Sequence, residues 1–169
     1  MILIIDSSSM EIVSSSKLGR EIDTNILPSG RGDQVFFVLS DGQLWTTSLV
    51  TFESKPFGNT RGLIINSVAT TDKYTAVAHG SGFAVFDQYG TQMWETSLDA
   101  NSIVASPLIS NDNCWIVDDT GVMFFFNLFD SVPRLRKRVF ENTFALTPVL
   151  TDKHVIFSSR LGEIRAYLI

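Results

Sequence analysis

The amino-acid sequence predicts an all-β fold built from repeated, four-stranded antiparallel units. Three observations lead to this prediction: short runs of β-branched and aromatic residues, polar turn residues between the runs, and a glycine that recurs about every 40 residues. No helical periodicity is sustained anywhere in the 169 residues. The recurring glycines, each placed after an apolar run and a short turn segment, are Gly42, Gly82, Gly121 and Gly162.

Each repeat contains four strand-like elements in the same order. The first is clear at 66–72, 105–112 and 146–152 and degenerate at 25–30. The second precedes the glycine and is apolar at nearly every position, which indicates that both of its faces are buried between stacked sheets. The third follows the glycine and the fourth closes the unit. We expect the glycines to adopt a positive φ in tight hairpins, because glycine has no Cβ to clash there.

The repeat divides the chain into full and partial units. We expect a single domain over 1–169, with a partial unit at 1–20, full units at about 21–60, 61–100 and 101–142, and a partial unit at 143–169. Radial stacking of such units is the β-propeller, and each unit is then a blade. This count gives seventeen strands, one too many for a closed ring of four blades. We therefore expect part of a larger ring, with an evenly spaced β-sandwich as the alternative.

The segment 85–98 carries the most specific motif. Asp87, Gly90 and Trp94 in this segment resemble the repeat of the pyrroloquinoline quinone (PQQ)-type propeller family. The resemblance implies that Trp94 and Gly90 dock one blade against its neighbour. The hydroxyl-proline pairs at 106–107 and 147–148 are similar to the innermost strand of that family. The other repeats have, near the tryptophan position, Ser15 or Lys17, Glu53 or Ser54, and Lys137 or Arg138.

The same resemblance bears on activity. Quinoprotein dehydrogenases of this family use a vicinal cysteine pair beside their cofactor, whereas this chain has only Cys114. Its non-enzymatic branch, which includes the propeller lipoprotein of the outer-membrane barrel assembly machinery, uses the repeats as a protein-binding scaffold. We therefore expect a non-catalytic interaction scaffold without cofactor or metal, whose partner is another protein or further blades of its ring. The alternative is a ligand- or quinone-binding portion of a larger quinoprotein-like enzyme.

Charge narrows the range of partners. A net charge of −5 argues against nucleic acid, whose phosphates require a basic surface. No apolar run reaches the roughly 20 residues of a membrane span. The N-terminal residues do not read as an export signal, and the compartment stays open. The exception to the acidic character is a basic run on a predicted outermost strand, formed by Arg134, Arg136, Lys137 and Arg138. We interpret this run as protection of a sheet edge in preference to a binding site for an acidic partner.

The remaining candidates are interpreted as structural. His79 and His154 lie on second strands without further ligands at metal spacing. The pair Asp118–Asp119 suits hairpin hydrogen bonds better than a cation site. The tripeptide 31–33, Arg-Gly-Asp, falls in a predicted hairpin, and no local serine, histidine and acid set forms a catalytic constellation. Exposed blade faces at the two ends would favour association, so a homo-oligomer is one expected state.

Overall fold

A computed structural model describes residues 1–24, 26–58, 65–98, 102–103, 105–141 and 146–168. Within these residues the fold is all-β, with seventeen strands and no helix, as predicted. The strands are β1 (Ile2–Ile5), β2 (Ile12–Ser16), β3 (Leu27–Pro28), β4 (Gln34–Val38), β5 (Leu44–Ser48), β6 (Ser54–Pro56), β7 (Ile65–Thr70), β8 (Tyr74–His79), β9 (Gly82–Asp87), β10 (Gln92–Ser97), β11 (Leu108–Ser110), β12 (Asn113–Val117), β13 (Val122–Asn127), β14 (Leu135–Arg138), β15 (Val149–Leu150), β16 (His154–Ser158) and β17 (Ile164–Leu168).

The strands form five antiparallel sheets, each made from strands that are consecutive along the chain. Sheet 1 is β1–β2, sheet 2 is β3–β6, sheet 3 is β7–β10, sheet 4 is β11–β14 and sheet 5 is β15–β17. The four-stranded antiparallel unit predicted from the repeat is therefore confirmed. Among the described strands, those of sheets 1 and 5 do not pair with each other. The predicted boundaries near 60, 100 and 142 lie outside the described residues.

Four hydrophobic clusters join each sheet to the next one along the chain. Phe37 and Leu39 pack against sheet 1, and Phe36 packs against sheet 3. The strand β8 shows why the second strand is apolar at nearly every position, since Val77 faces sheet 2 while its neighbour Ala78 faces sheet 4. Successive side chains of a strand point to opposite faces, so an inner sheet of this stack needs apolar residues at both parities.

Three of the four recurring glycines adopt the predicted conformation. Gly42, Gly121 and Gly162 have φ values of 81°, 81° and 84°. The amide N–H of each donates to the carbonyl oxygen three residues earlier, with N···O distances of 2.8, 3.2 and 3.1 Å. This pattern is a type I turn followed by a left-handed glycine that forms a bulge between the second and third strands. Glycine is needed there because side chains disfavour positive φ.

The prediction for Gly82 is wrong. Gly82 is the first residue of β9 and pairs with His79, so the hairpin is a two-residue turn, and the positive φ of 53° belongs to Gly80. Position 82 nevertheless requires glycine for another reason. A Cβ there would lie 2.2 Å from Cε1 of the His79 ring. Gly80 closes the hairpin earlier than in the other repeats, and Gly82 leaves room for the imidazole.

Candidate functional site

Trp94 lies on β10, the outermost strand of sheet 3, at the contact with sheet 4. Its ring centroid is 5.6 Å from that of Phe83 in its own sheet and 5.7 Å from that of Phe126 in sheet 4. The indole Nε1 donates a hydrogen bond of 2.6 Å to the carbonyl oxygen of Leu128, beyond the end of β13. Apolar burial and a directed hydrogen bond therefore act together across one sheet contact. The docking role that the family resemblance implies for Trp94 stays a prediction.

Gly90 lies at the opposite contact of the same sheet. It has a φ of 87° in the turn between β9 and β10, and the Asp87 carboxylate accepts hydrogen bonds of 2.9 and 2.8 Å from the N–H groups of Tyr89 and Thr91. A Cβ at position 90 would lie 3.0 Å from the backbone nitrogen of Gly58, which follows the last strand of sheet 2. Gly90 thus permits a close approach between the outer parts of sheets 2 and 3.

Strand register identifies the counterparts of Trp94 in the other sheets. Trp94 pairs with Val85, which in turn pairs with Ala76, the third residue of β8. The same relation leads to Lys55 in sheet 2 and Leu135 in sheet 4. The sequence placed these counterparts at Glu53 or Ser54 and at Lys137 or Arg138, which is wrong by one to three residues. The error arises because the loop between the third and fourth strands differs in length among the repeats.

A groove of about 570 Å³ opens between sheets 4 and 5. We call it the outer groove. Two aromatic pairs form its walls: Trp115 with Phe125 in sheet 4, at 5.2 Å between ring centroids, and Phe157 with Tyr167 in sheet 5, at 5.8 Å. The outer end is bordered by Leu135, whose residue is 46% exposed. Polar residues on the rim are Ser110, Asn111, Asn113, Lys137 and Asp152.

The outer groove differs from the two preceding sheet contacts. Between sheets 2 and 3, the buried Phe57 after β6 packs edge-on against Phe36 at 4.9 Å. Between sheets 3 and 4, Trp94 supplies the aromatic ring. The corresponding positions on β14 are Leu135 and Lys137, neither of them aromatic. The ammonium group of Lys137 instead lies 4.6 Å from the centroid of the Tyr167 ring, a cation–π distance.

The basic run lies where the sequence predicts, on the outermost strand of sheet 4, and all four residues of β14 are exposed. Arg134 directly precedes the strand. The Arg136 guanidinium lies 5.5 Å over the ring of Phe124, and Arg138 Nη1 donates a 2.9 Å hydrogen bond to the carbonyl oxygen of Thr120. Lys137 faces the outer groove. Arg136 and Lys137 therefore lie on opposite faces of β14, and of the basic run only Lys137 lines the groove.

An inner cavity of about 480 Å³ lies on the other side of the sheets. It is lined by three residues of β7 and by residues of other segments: Asn66, Ser67 and Val68, then Ile22, Asp23, Thr24, Leu27, Ser106 and Thr147. Ser67 Oγ donates to the carbonyl oxygen of Ala105 at 3.0 Å, which joins sheet 3 to the segment before β11. None of these described lining residues is aromatic. The cavity therefore lacks the aromatic walls that a quinone slot needs.

Of the acidic pair, Asp118 behaves as a turn element, whereas Oδ1 of Asp119 is buried without a hydrogen-bond partner among the described residues. Asp118 is 2% exposed, and its Oδ1 accepts hydrogen bonds of 2.9 and 2.8 Å from the N–H and hydroxyl of Thr120 and of 2.8 Å from the N–H of Val122. Burial, followed by repulsion from Asp118, raises the pKa of Asp119. The part of the chain that the structure describes contains no cluster of three His, Cys, Asp or Glu residues able to hold a metal.

The other sequence candidates also have structural surroundings. The Arg-Gly-Asp tripeptide lies in the β3–β4 hairpin: Arg31 hydrogen-bonds to Gln88 of sheet 3, and Asp33 accepts a 3.0 Å bond from Ser29. Cys114 is fully buried, and burial raises the pKa of its thiol, which disfavours the nucleophilic thiolate. His154 is the first residue of β16 and is half-buried.

His79, the last residue of β8, is the most unusual titratable group. His79 is only 9% exposed, and its Nε2 atom has no hydrogen-bond partner. The nearest acid is Glu95, whose Oε1 lies 3.4 Å from Nε2 without hydrogen-bond alignment. Burial lowers the pKa of His79 below 6.5, and attraction to Glu95 opposes this shift without cancelling it. The imidazole is therefore held mainly in its neutral form at neutral pH.

We expect this histidine to make stability depend on pH. The pKa of His79 is lower in the folded chain than in the unfolded one. The contribution of this histidine to the free energy of unfolding is therefore fully present above pH 6.5 and declines as the pH falls below that value. Urea unfolding at a series of pH values should show this decline, and His79→Gln should reduce its slope. His154→Gln is the matched control. An unchanged slope in His79→Gln would assign the decline to other groups.

Solved structures place this architecture among known proteins. No family model matches the chain, and no curated protein sequence matches it. Solved structures do match: BamB from Moraxella catarrhalis has a TM-score of 0.73 at 14% identity, over 98% of this chain and 50% of that one. The fold is that of a β-propeller. The computationally designed proteins Ika4 and Ika8 match with TM-scores of 0.71 and 0.70, each at 12% identity.

The extent of these matches differs. Ika4 is matched over 87% of this chain and 92% of its own, and Ika8 over 86% and 46%. This chain thus spans about half the length of BamB. At such identities the likeness shows the propeller fold alone. In propeller terms, each four-stranded sheet is a blade, and the outer groove lies between the last four-stranded blade and the three-stranded sheet that follows it. No helix of the described residues is long and apolar enough to cross a membrane.

Proposed function

We propose that the protein is a non-catalytic propeller module that binds a protein partner through the outer groove and the basic strand β14. The observation that carries the proposal is the outer groove itself, an open cavity with aromatic walls and positive charge at one end. Interfaces with protein partners are enriched in aromatic residues and arginine, and contiguous exposed apolar patches mark interaction sites or ligand-binding grooves. The inner cavity, with its polar lining, does not favour the quinone-binding alternative.

The end sheets support a second part of the proposal, that further blades complete the ring. On one face of sheet 1, Leu3 and Ile5 are 42% and 50% exposed. On the opposite face, Ile2 is buried against sheet 2. On sheet 5, Ile164 is 72% exposed. Every inner sheet covers such a face with a neighbour, so uncovered apolar end faces favour further blades of the same type. These blades would belong to a longer chain or to another copy.

The partner surface can be tested with photo-cross-linking and charge reversal. A photoreactive amino acid at Arg134 should form an adduct with one protein species in the native host, and the same amino acid at Lys55, on the outer strand of sheet 2, should not. After purification of the identified protein, the double variant Arg134→Glu and Arg136→Glu should bind it at least about tenfold more weakly at low salt, since rim charges act mainly on association.

Lys55→Glu provides the matched control, because it reverses one exposed charge on another outer strand. We expect it to retain the affinity of the unmodified protein in calorimetric titration. Equal affinity of all variants would mean that the basic strand only protects a sheet edge from pairing. Absence of any specific adduct at Arg134 would reject the interaction module at this surface.

A further inference from the structure

The chain contains its own example of what fits between two of its blades. At the contact of sheets 3 and 4, the indole of Trp94 packs against both Phe83 and Phe126, whose own rings stack at 5.4 Å, and donates to a backbone carbonyl. This arrangement buries an aromatic side chain of the outer strand and gives its single N–H a partner. The contact thus defines an aromatic site of known geometry within the repeat.

The outer groove repeats this site without its aromatic occupant. Tyr167 pairs with Val155, the second residue of β16, as Phe126 pairs with Cys114, the second residue of β12. Tyr167 therefore provides the wall that Phe126 provides in the preceding contact. Leu135 stands at the register position of Trp94, and the groove of about 570 Å³ remains open beside it. Its size is typical of ligand-binding clefts, roughly 300–1,000 Å³.

The charge and the open edge of β14 indicate what kind of chain segment would carry this aromatic side chain. Lys137 lines the groove, Arg134 directly precedes β14, and Arg136 lies on the opposite face of the strand over Phe124. Among the described strands, β14 pairs only with β13, so its other edge is open to an extended segment. Strand addition to an open edge is a common mode of peptide recognition, and carboxylates complement a basic edge.

We infer that the outer groove takes an aromatic side chain, tryptophan above all, from an extended partner segment whose flanking residues are acidic. This inference rests on the proposed interaction function and specifies the chemistry of the partner. The aromatic ring enters between Phe125 and Tyr167, and the flanking carboxylates pair with the cations of β14. The occupant therefore takes the place that the chain's own tryptophan takes one blade earlier.

Two peptides and two protein variants test this inference. The probe is the acidic peptide acetyl-Glu-Asp-Trp-Asp-Glu-amide, and its counterpart has alanine in place of tryptophan. In NMR titrations the tryptophan peptide should shift the resonances of Trp115, Phe125 and Tyr167 and bind at least about tenfold more tightly than the alanine peptide. Leu135→Trp should occupy the groove and weaken binding by a similar factor. Met93→Trp, on the outer strand of sheet 3, is the control and should bind as the unmodified protein does.

The outcomes separate this inference from the function on which it rests. Equal binding of both peptides, binding that persists in Leu135→Trp, or no binding of the tryptophan peptide would overturn the inference. If the partner cross-linked at Arg134 still binds Leu135→Trp with full affinity, the interaction function stands and only the aromatic occupant is rejected. If Leu135→Trp changes the mass measured by light scattering, a second copy of the chain covers the groove instead, which also overturns the inference.

Discussion

Trp94→Ala should lower the free energy of unfolding by about 3 kcal/mol, at the lower end of the range for large aromatic truncations. The lower end applies because the side chain is half-buried. The loss has two causes: the contact with Phe83 and Phe126 is removed, and the Leu128 carbonyl loses its donor. Urea unfolding followed by circular dichroism measures the change without depending on the fluorescence of the deleted indole.

Two variants show which part of the indole acts. Trp94→Phe keeps a ring but removes the N–H donor, and should cost about 1–2 kcal/mol. Tyr89→Ala removes a ring that is 79% exposed a few residues earlier and should change stability by no more than about 0.5 kcal/mol. If Trp94→Ala costs as little as Tyr89→Ala, the indole does not hold sheets 3 and 4 together.

Gly90→Ala is expected to cost about 3 kcal/mol, because two effects add. A side chain at a φ of 87° is strained by about 1–2 kcal/mol, and its Cβ would lie 3.0 Å from the Gly58 backbone nitrogen, where crowding adds about 1–2 kcal/mol. The backbone of Gly58 cannot move aside as a flexible side chain could. The variant should therefore loosen the contact between sheets 2 and 3.

Gly162→Ala separates the two effects. Gly162 has nearly the same φ, 84°, in the same kind of turn, but an added Cβ there would meet nothing within 4 Å. We expect this variant to lose only the conformational part, about 1–2 kcal/mol, in the same urea unfolding measurement. Equal losses in the two variants would show that the close approach to Gly58 is unimportant.

Local turn chemistry was predictable from sequence only where the repeats share a loop length. Gly42, Gly121 and Gly162 follow the same turn, and their positive φ values follow from glycine at the fourth position of that turn. The hairpin before Gly82 is shorter, because Gly80 offers a positive φ two residues earlier. The requirement for glycine at 82 comes from the ring of His79, whose position depends on packing.

The candidate site was only partly predictable, and the reason is geometric. The basic run and its place on an outer strand follow from sequence, since the repeat assigns an outermost strand there. That Leu135 rather than Lys137 or Arg138 stands at the tryptophan position does not, because loop length between the third and fourth strands sets the register. The outer groove combines residues of β12, β13, β14, β16 and β17, which lie far apart in the chain.

The repeat, the strands and the need to bury both faces of the second strand of each unit could all be predicted from the residues alone. These properties are local: they depend on side-chain alternation, turn residues and a steady spacing, all of which can be counted along the chain. Which sheet contacts are filled and which one is open could be seen only once the sheets were packed together. That outcome depends on how side chains of neighbouring sheets meet, as Trp94 meets Phe126 while Leu135 leaves Tyr167 beside an open groove. Packing of this kind joins distant residues, and a one-residue change of register replaces the side chains that meet.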